Sequence, residues 1–205
     1  MPNAIDWGER YRIEHTPWDL GCAHPTLTAR LASGELAPPR EGARALVPGC
    51  GRAHDALALA QAGWVVTAAD LVEELRPIVE PQLAPSGGEF VSGDVLAMQF
   101  DEPFELVWEH TFFCAIDPEQ RAAYGDLMAR SVAPGGRIAA MLFPLDRPEE
   151  RGGPPWRIDE SLYESALGDA FERETLDPAV ARTAGREWQE RLAMYRTRFE
   201  SSHPR

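Results

Sequence analysis

Two glycines and an acidic residue have the types and the spacing of a nucleoside-binding site. Gly49 and Gly51 flank a cysteine in the segment ALVPGCGRAHD, directly after an apolar run. Glycine lets the backbone turn tightly and approach a ligand where a Cβ atom would clash, and the amides of a following helix point to the same place. Asp70 ends the next apolar run, about twenty residues later, where a carboxylate can accept hydrogen bonds from both hydroxyls of a ribose. Together these residues predict a nucleoside cofactor.

The residues after the glycines bear on which nucleoside cofactor is bound. A dinucleotide loop needs a third glycine for close helix packing and places a pyrophosphate at the helix N-terminus, but this chain has Ala53 and His54 there. S-adenosylmethionine has a ribose and no phosphate, and aromatic faces can accommodate its sulfonium cation. Three aromatic residues precede the first strand: Trp7, Tyr11 and Trp18. They can line such a site, pack the N-terminal segment on the core, or do both.

Strands and helices alternate along the part of the chain that must position these residues. We predict strands at 43–47, 64–70, 89–93, 104–108 and 137–143, a last strand within 187–199, and helices at 54–62, 74–83, 117–131 and 159–171. Near-continuous apolar strands between helices indicate a doubly wound, mostly parallel α/β sheet, in which ligands bind beyond the carboxyl ends of the strands. Asp94 closes the third strand, where it could receive an adenine amino group or cap a turn.

Composition favours a small-molecule partner for a single domain spanning 1–205. The chain has 44% hydrophobic and 26% charged residues, and its net charge of -13 repels phosphate backbones and anionic membrane surfaces. We find neither a long apolar span nor a secretion signal, so we expect a cytoplasmic protein. The cysteines lie far apart without CxxC spacing, which argues against disulfides and a metal site. They are Cys22, Cys50 and Cys114.

Eight short segments, in their order along the chain, resemble the thiopurine S-methyltransferase family, including its plant and bacterial thiol and halide methyltransferases. The segments are WGERY, TPWDLG, ALVPGCG, TAADL, VWEHTFFCAIDPEQRAAY, APGGRIAAMLFPL, GGPPW and AGREW. The resemblance implies a class I methyltransferase sheet of seven strands with the last antiparallel. It also implies S-adenosylmethionine as the cofactor, a monomer, an N-terminal lid at 1–42 and an α/β core at 43–200.

The resemblance also assigns roles to individual residues. Gly49 would face the methionine part of the cofactor, with Gly51 also binding the cofactor. Asp70 would bind the ribose, and Asp94 with Val95 would flank the adenine. Trp7, Tyr11 and Trp18 would line the cavity for cofactor and substrate, and His110 would lie beside the transferred methyl group. The substrate pocket would be lined by Trp18, His110, Phe113 and Trp156, although core packing is the alternative for Phe113.

This chain departs from its relatives at two of these positions. Ala53 stands where the loop usually has another glycine, and His110 stands where related enzymes carry tyrosine or arginine. Histidine could orient an anionic nucleophile or take a proton from a thiol, since its ordinary pKa of about 6.5 is near working pH. A purely structural hydrogen bond at a strand end is the alternative. The identity of His110 therefore bears on substrate preference.

The expected chemistry needs little catalytic machinery. Methyl transfer is an in-line displacement at a carbon that the sulfonium already activates, so the protein has to align the reactants and exclude water. We therefore predict a methyltransferase that acts on a small soft nucleophile such as a thiol, a thiopurine sulfur, sulfide or a halide. The alternatives are a hydroxyl, amine or metalloid acceptor, a nicotinamide-dependent oxidoreductase, and a non-catalytic binding module.

Overall fold

A seven-stranded sheet forms the centre of the protein, as a computed structural model covering residues 5–177 and 183–198 shows. The strand order is β3-β2-β1-β4-β5-β7-β6. The strands β1 to β5 are parallel to one another, whereas β7 runs antiparallel to both β5 and β6. The strands are β1 Arg44–Pro48, β2 Val65–Asp70, β3 Glu89–Ser92, β4 Phe104–His110, β5 Val132–Leu142, β6 Phe171–Leu176 and β7 Arg191–Thr197. The predicted α/β sheet is confirmed.

Six α-helices accompany the sheet in the described residues. They are α1 Trp7–Arg12, α2 Pro25–Ala32, α3 His54–Gln61, α4 Arg76–Leu83, α5 Arg121–Ser131 and α6 Glu160–Leu167. Local signals explain where several of them begin. The side chain of Asp159 accepts the N–H of Leu162 at 2.9 Å and caps α6. None of these helices has the length and apolar character that crossing a membrane requires.

The sheet separates two hydrophobic cores. Because successive side chains of a strand point to opposite faces, Val47 packs with α3 and α4 on one face while Leu46 packs with α5 and α6 on the other. The same alternation along β4 places Trp108 in the first core and Val107 in the second. Helices on both faces of a parallel sheet leave its carboxyl edge as the place for a site.

Several predicted boundaries differ from the structure. The strand predicted at 137–143 begins five residues earlier, at Val132, and the Pro-Gly-Gly segment lies within β5 at an irregularity in its pairing with β4. The helix predicted to reach Phe171 ends at Leu167, because Gly168 turns the chain and Phe171 starts β6. Neither β6 nor the two N-terminal helices were predicted from local pattern, since all three are short. Because chain ends are often poorly ordered, the sequence predicts disorder beyond Ser201, which lies outside the described residues.

Candidate active site

The glycine turn after β1 brings the backbone close to two aromatic side chains. Gly49 and Gly51 have φ values of 60° and 53°, in the left-handed region that favours glycine. A Cβ atom on Gly49 would lie 2.7 Å from Cδ2 of Phe112, and one on Gly51 would lie 2.8 Å from the hydroxyl of Tyr11. Both glycines are therefore required by conformation and by space, and the ligand-facing role of this loop stays a prediction.

Ala53 completes this turn in a conformation that glycine adopts more easily. Its φ is 63° and its side chain is buried in the first core. The left-handed region costs a non-glycine residue about 1–2 kcal/mol. The chain thus keeps the backbone path of a third glycine while carrying a methyl group that packs beneath the start of α3.

Asp70 joins the end of β2 to the glycine turn. Its Oδ2 accepts the N–H of Gly51 at 2.9 Å, and its Oδ1 accepts the N–H of Val72 at 3.0 Å. The side chain is 8% exposed. Burial raises the pKa of this carboxyl, and the backbone N–H donors work against that rise. Each oxygen has further lone-pair capacity, which is what two ribose hydroxyls would use.

The residues after β3 lie next to Asp70 at the same edge of the sheet. The N–H of Gly93 donates to the backbone oxygen of Asp70 at 2.9 Å. Asp94 is exposed, and its Oδ1 accepts the N–H of Leu96 at 3.1 Å, so it caps the turn that follows. Val95 is buried in the second core. Capping was one of the two roles that the sequence allowed for Asp94, and a contact with adenine stays a prediction.

The three N-terminal aromatic residues form one cluster against the glycine turn. Trp18 makes edge contacts with Trp7 and Tyr11, with ring centroids 5.3 and 5.7 Å away, and its Nε1–H donates to the Tyr11 hydroxyl at 3.3 Å. The guanidinium of Arg52 lies 5.6 Å from the centre of the Tyr11 ring and donates to Asp19 at 2.5 Å. Arg52 thereby ties the N-terminal segment to the loop that carries Gly51.

His110 ends β4 with both ring nitrogens engaged. Its Nδ1 lies 2.7 Å from Oδ2 of Asp55, and its Nε2 lies 2.9 Å from Nη2 of Arg186. Because a guanidinium can only donate, Nε2 accepts and the proton of a neutral ring is on Nδ1. Burial lowers the pKa of His110, although Asp55 opposes the change. The structure therefore favours a neutral imidazole here.

A second histidine lies against His110 in a buried polar cluster that sequence reasoning missed. The rings of His24 and His110 have centroids 4.7 Å apart. Nδ1 of His24 accepts the N–H of Thr26 at 3.2 Å, so its proton is on Nε2, which faces Oε1 of Glu190 at 2.9 Å. His24 and Glu190 are separated by 166 residues, and no local pattern connects them.

This cluster has ligand atoms close enough for a metal, but its hydrogen bonds use them. One ligand atom from each of His24, His110 and Glu190 lies within 4.8 Å of the others. Nε2 of His24 carries a proton and Nε2 of His110 accepts from Arg186, so neither nitrogen offers a free lone pair. A guanidinium next to a divalent cation would also be repelled. Within the described residues, the arrangement does not favour a metal centre.

Arg186 is the buried cation of the site. It is 9% exposed, its guanidinium lies 4.9 Å from the centre of the Phe143 ring, and its Nε finds no hydrogen-bond partner among the described residues. Burial lowers the pKa of its side chain, against the raising effect of nearby Glu190. A buried N–H donor without a partner is unfavourable, and a bound acceptor would satisfy it. From the sequence, Arg186 has no predicted role beyond its place in the AGREW segment.

Glu109 anchors the turn that follows β4 from the opposite face of the strand. Its side chain is 1% exposed, and its Oε1 accepts the N–H groups of Phe112 and Phe113, each at 2.9 Å. Burial raises the pKa of this carboxyl to about 7, although the two N–H donors oppose the rise. The turn carrying Phe112 towards Gly49 is therefore held by a group that titrates near neutrality.

Two predicted substrate residues occupy different environments. Phe113 is fully buried in the second core, with its ring 4.8 Å from that of Tyr124 and 4.9 Å from that of Tyr163. This is the core-packing alternative that the sequence left open. Trp156 is half-buried, and its backbone N–H donates to the backbone oxygen of Cys114 at 2.7 Å. That bond places the GGPPW loop beside the turn after β4.

Known proteins are similar to this chain in sequence and in fold. The sequence model of the family Thiopurine S-methyltransferase (TPMT) matches residues 3–194. A probable thiol methyltransferase 2 of Arabidopsis thaliana is 33% identical over 165 residues, which cover 78% of this chain and 70% of the relative. A thiocyanate methyltransferase 1 of Brassica oleracea is 31% identical over 174 residues, covering 82% and 74%. A solved structure, the 1,6-didemethyltoxoflavin-N1-methyltransferase of Burkholderia thailandensis with bound S-adenosylhomocysteine, has a TM-score of 0.71 and 20% identity, with coverage of 96% and 92%.

Proposed function

Because the chain belongs to the thiopurine S-methyltransferase family and is therefore an S-adenosylmethionine-dependent methyltransferase, we propose that it methylates a small anionic nucleophile, a thiolate, sulfide, thiocyanate or halide, held by Arg186. The observation that carries this proposal is the buried guanidinium of Arg186 with an unpartnered Nε–H at the carboxyl edge of the sheet. Relatives named as thiol and thiocyanate methyltransferases support the same acceptor class.

The residues at the ends of β1, β2 and β3 fit S-adenosylmethionine. Gly49 and Gly51 shape the turn after β1 in left-handed conformations, and Asp70 retains acceptor capacity for ribose hydroxyls. Asp94 and Val95 adjoin Asp70 along the sheet edge, where we place the adenine. The cluster of Trp7, Tyr11 and Trp18 would cover the site as a lid and face the sulfonium. When bound, S-adenosylmethionine supplies a methyl carbon made electrophilic by its sulfonium.

The task of the protein is to hold the nucleophile in line with that carbon. Arg186 would bind the anion through its unpartnered N–H, and His110 would hold Arg186 from the other side. These contacts would orient a lone pair of the nucleophile towards the methyl carbon that S-adenosylmethionine would supply. Trp18 and Trp156 would limit the size of the acceptor and exclude water.

The geometry favours an orienting role for His110 over proton abstraction. Its Nε2 already accepts from Arg186, and its Nδ1–H already donates to Asp55. A thiol with an ordinary pKa of about 8.5 supplies some thiolate at neutral pH, and a halide has no proton to lose. A general base is therefore unnecessary for these acceptors. Family membership also favours methyl transfer over a nicotinamide-dependent reaction.

We further propose a cytoplasmic monomer with no nucleic-acid or membrane partner. The net charge of -13 supports a small-molecule substrate over a polyanionic one. Size-exclusion chromatography with light scattering tests the monomer directly, and a mass of twice 22.7 kDa would contradict it.

An acceptor panel tests the proposed reaction. The protein is incubated with S-adenosylmethionine and, separately, iodide, thiocyanate, hydrosulfide, a small thiol, a phenol and a primary amine, and methylated products are measured by gas chromatography with mass spectrometry. We expect methyl iodide, methyl thiocyanate and methylated sulfur products. Methylation of the phenol or the amine alone would overturn the acceptor class while leaving the methyltransferase assignment intact.

A further inference from the structure

Asp55 accepts hydrogen bonds from residues that lie far apart in the sequence. Its Oδ1 accepts the backbone N–H of His24 at 2.6 Å, while its Oδ2 accepts Nε1–H of Trp108 at 2.8 Å and Nδ1–H of His110 at 2.7 Å. The residue lies in the first turn of α3, immediately after the glycine turn. One carboxylate thus connects the N-terminal segment, the cofactor loop and the end of β4, and through His110 the connection extends to Arg186.

These contacts fix the position of the ring proton. Burial would raise the pKa of Asp55, but the hydrogen bonds from His110, His24 and Trp108 outweigh it and hold this pKa at about 2. Asp55 is therefore a carboxylate that can only accept, and Arg186 on the other side of the ring can only donate. His110 satisfies both neighbours in a single neutral form, with its proton on Nδ1.

We propose, on the basis of the function proposed above, that Asp55 is a positioning residue: it imposes the Nδ1–H tautomer of His110 and through it holds Arg186 at the acceptor. In Asp55→Asn one acceptor oxygen remains, and when it accepts from the backbone N–H of His24 the NH2 group faces Nδ1, which must then accept. A proton on Nε2 would then face the N–H groups of Arg186, donor against donor. Arg186 would lose its hydrogen bond and its orientation, although Asp55 itself touches neither the acceptor nor the methyl group.

The wider environment of Arg186 is consistent with a need for such an anchor. Its guanidinium packs on Phe143, which offers a face but no hydrogen bond. Glu190 acts on Arg186 through its charge, while its Oε1 accepts from His24 and from the hydroxyl of Thr183, and no hydrogen bond joins Glu190 to Arg186 among the described residues. The bond to Nε2 of His110 is the directional contact that fixes the plane of the guanidinium. A planar donor group recognises its ligand through that orientation.

The test compares Asp55→Asn with the unchanged protein. Long-range ¹H–¹⁵N spectra at pH 8 report which ring nitrogen of His110 carries the proton, with the signals assigned by comparison with His110→Gln. We expect Nδ1–H in the unchanged protein and a shift towards Nε2–H in Asp55→Asn. We also expect kcat/KM for hydrosulfide to fall about tenfold to a hundredfold, the scale of a misplaced reactant, with affinity for S-adenosylhomocysteine changed by less than about threefold.

Two control variants separate positioning from a structural role. Trp108→Phe removes another donor to the same carboxylate and should leave the proton of His110 on Nδ1. Asp159→Asn removes a helix-capping carboxylate at α6, distant from this cluster in the fold, and should change neither tautomer nor kinetics. An unchanged tautomer or unchanged acceptor kinetics in Asp55→Asn would overturn the proposal.

The outcomes also distinguish this inference from the proposed function. If the unchanged protein binds S-adenosylhomocysteine and methylates hydrosulfide but carries its His110 proton on Nε2, the positioning role of Asp55 fails and the function stands. This measurement does not use Asp55→Asn, so it decides the question even if that variant does not fold. If the unchanged protein methylates no acceptor, the proposed function fails first, and the tautomer still reports on the contact between Asp55 and His110.

Discussion

The carboxylate of Asp70 accepts the backbone N–H of Gly51 across 2.9 Å, so the end of β2 and the turn after β1 present one continuous polar surface. If Asp70 binds the ribose, Asp70→Ala should weaken S-adenosylhomocysteine binding by about 1.5–3 kcal/mol, the range for hydrogen bonds to a charged group. Isothermal titration calorimetry measures the change. Asp126→Ala, an exposed position on α5, is the control. Equal affinity in Asp70→Ala and the unchanged protein would remove Asp70 from the site.

The close approach of Phe112 to Gly49 gives a second prediction. Gly49→Ala places a methyl group 2.7 Å from Phe112 in a left-handed conformation. Gly87→Ala has a similar φ of 73° with nothing within 4 Å of its Cβ, so it isolates the backbone strain. We expect Gly87→Ala to lower the free energy of unfolding by about 1 kcal/mol without changing S-adenosylhomocysteine affinity. Gly49→Ala should lower it further and weaken binding.

Denaturant unfolding and calorimetry on the two glycine variants check this pair. The comparison isolates the space above Gly49 because both alanines carry the same kind of backbone strain. If Gly49→Ala binds S-adenosylhomocysteine as tightly as Gly87→Ala does, the turn is a structural feature and does not face the cofactor.

The sequence predicted the sheet edge and its loops because those signals are local. The glycines at 49 and 51 and the acid at 70 lie at strand ends or within a few residues of one, and the aromatic residues ahead of β1 lie close together in the sequence. Ala53 shows the limit of such patterns: it differs from the expected glycine, yet its φ of 63° preserves the same turn. The turn therefore keeps its backbone conformation although alanine replaces the expected glycine.

The polar cluster around His110 could not be predicted in the same way. His24 meets Glu190 across 166 residues, and His110 meets Arg186 across 76. His110, at the end of β4, was identified through the resemblance, but its partners come from elements whose positions depend on the whole fold. The antiparallel insertion of β7 between β5 and β6 is part of what sets the position of the segment holding Arg186 and Glu190, just ahead of β7.

Glu109 predicts a pH dependence of stability. Its pKa is about 7 in the folded protein and near its ordinary 4.5 when unfolded, so the folded state binds the proton more tightly. The stabilisation that the folded protein gains from protonated Glu109 is complete below pH 4.5 and is lost as the pH rises through 7. We therefore expect the free energy of unfolding of Glu109→Gln to rise by about 1–3 kcal/mol relative to that of the unchanged protein as the pH increases from 4.5 to 8.

Urea unfolding of both proteins at pH 4.5, 6 and 8 measures that difference. Other titrating groups, including His110, affect the two proteins alike and cancel in the comparison. A difference in unfolding free energy that stays constant across this range would show that Glu109 is ionised in the folded protein throughout.

The kinetic role of Arg186 tests the central claim most directly. The KM for iodide in methyl transfer from S-adenosylmethionine is measured for the unchanged protein, for Arg186→Gln, and for Arg173→Gln, which changes an exposed arginine paired with Glu164 on the surface. We predict that Arg186→Gln raises the KM for iodide about tenfold or more, as loss of a charge-assisted bond of about 1.5–3 kcal/mol requires. Affinity for S-adenosylhomocysteine and the behaviour of Arg173→Gln should not change. Iodide kinetics that are the same in Arg186→Gln as in the unchanged protein would contradict an acceptor held by Arg186.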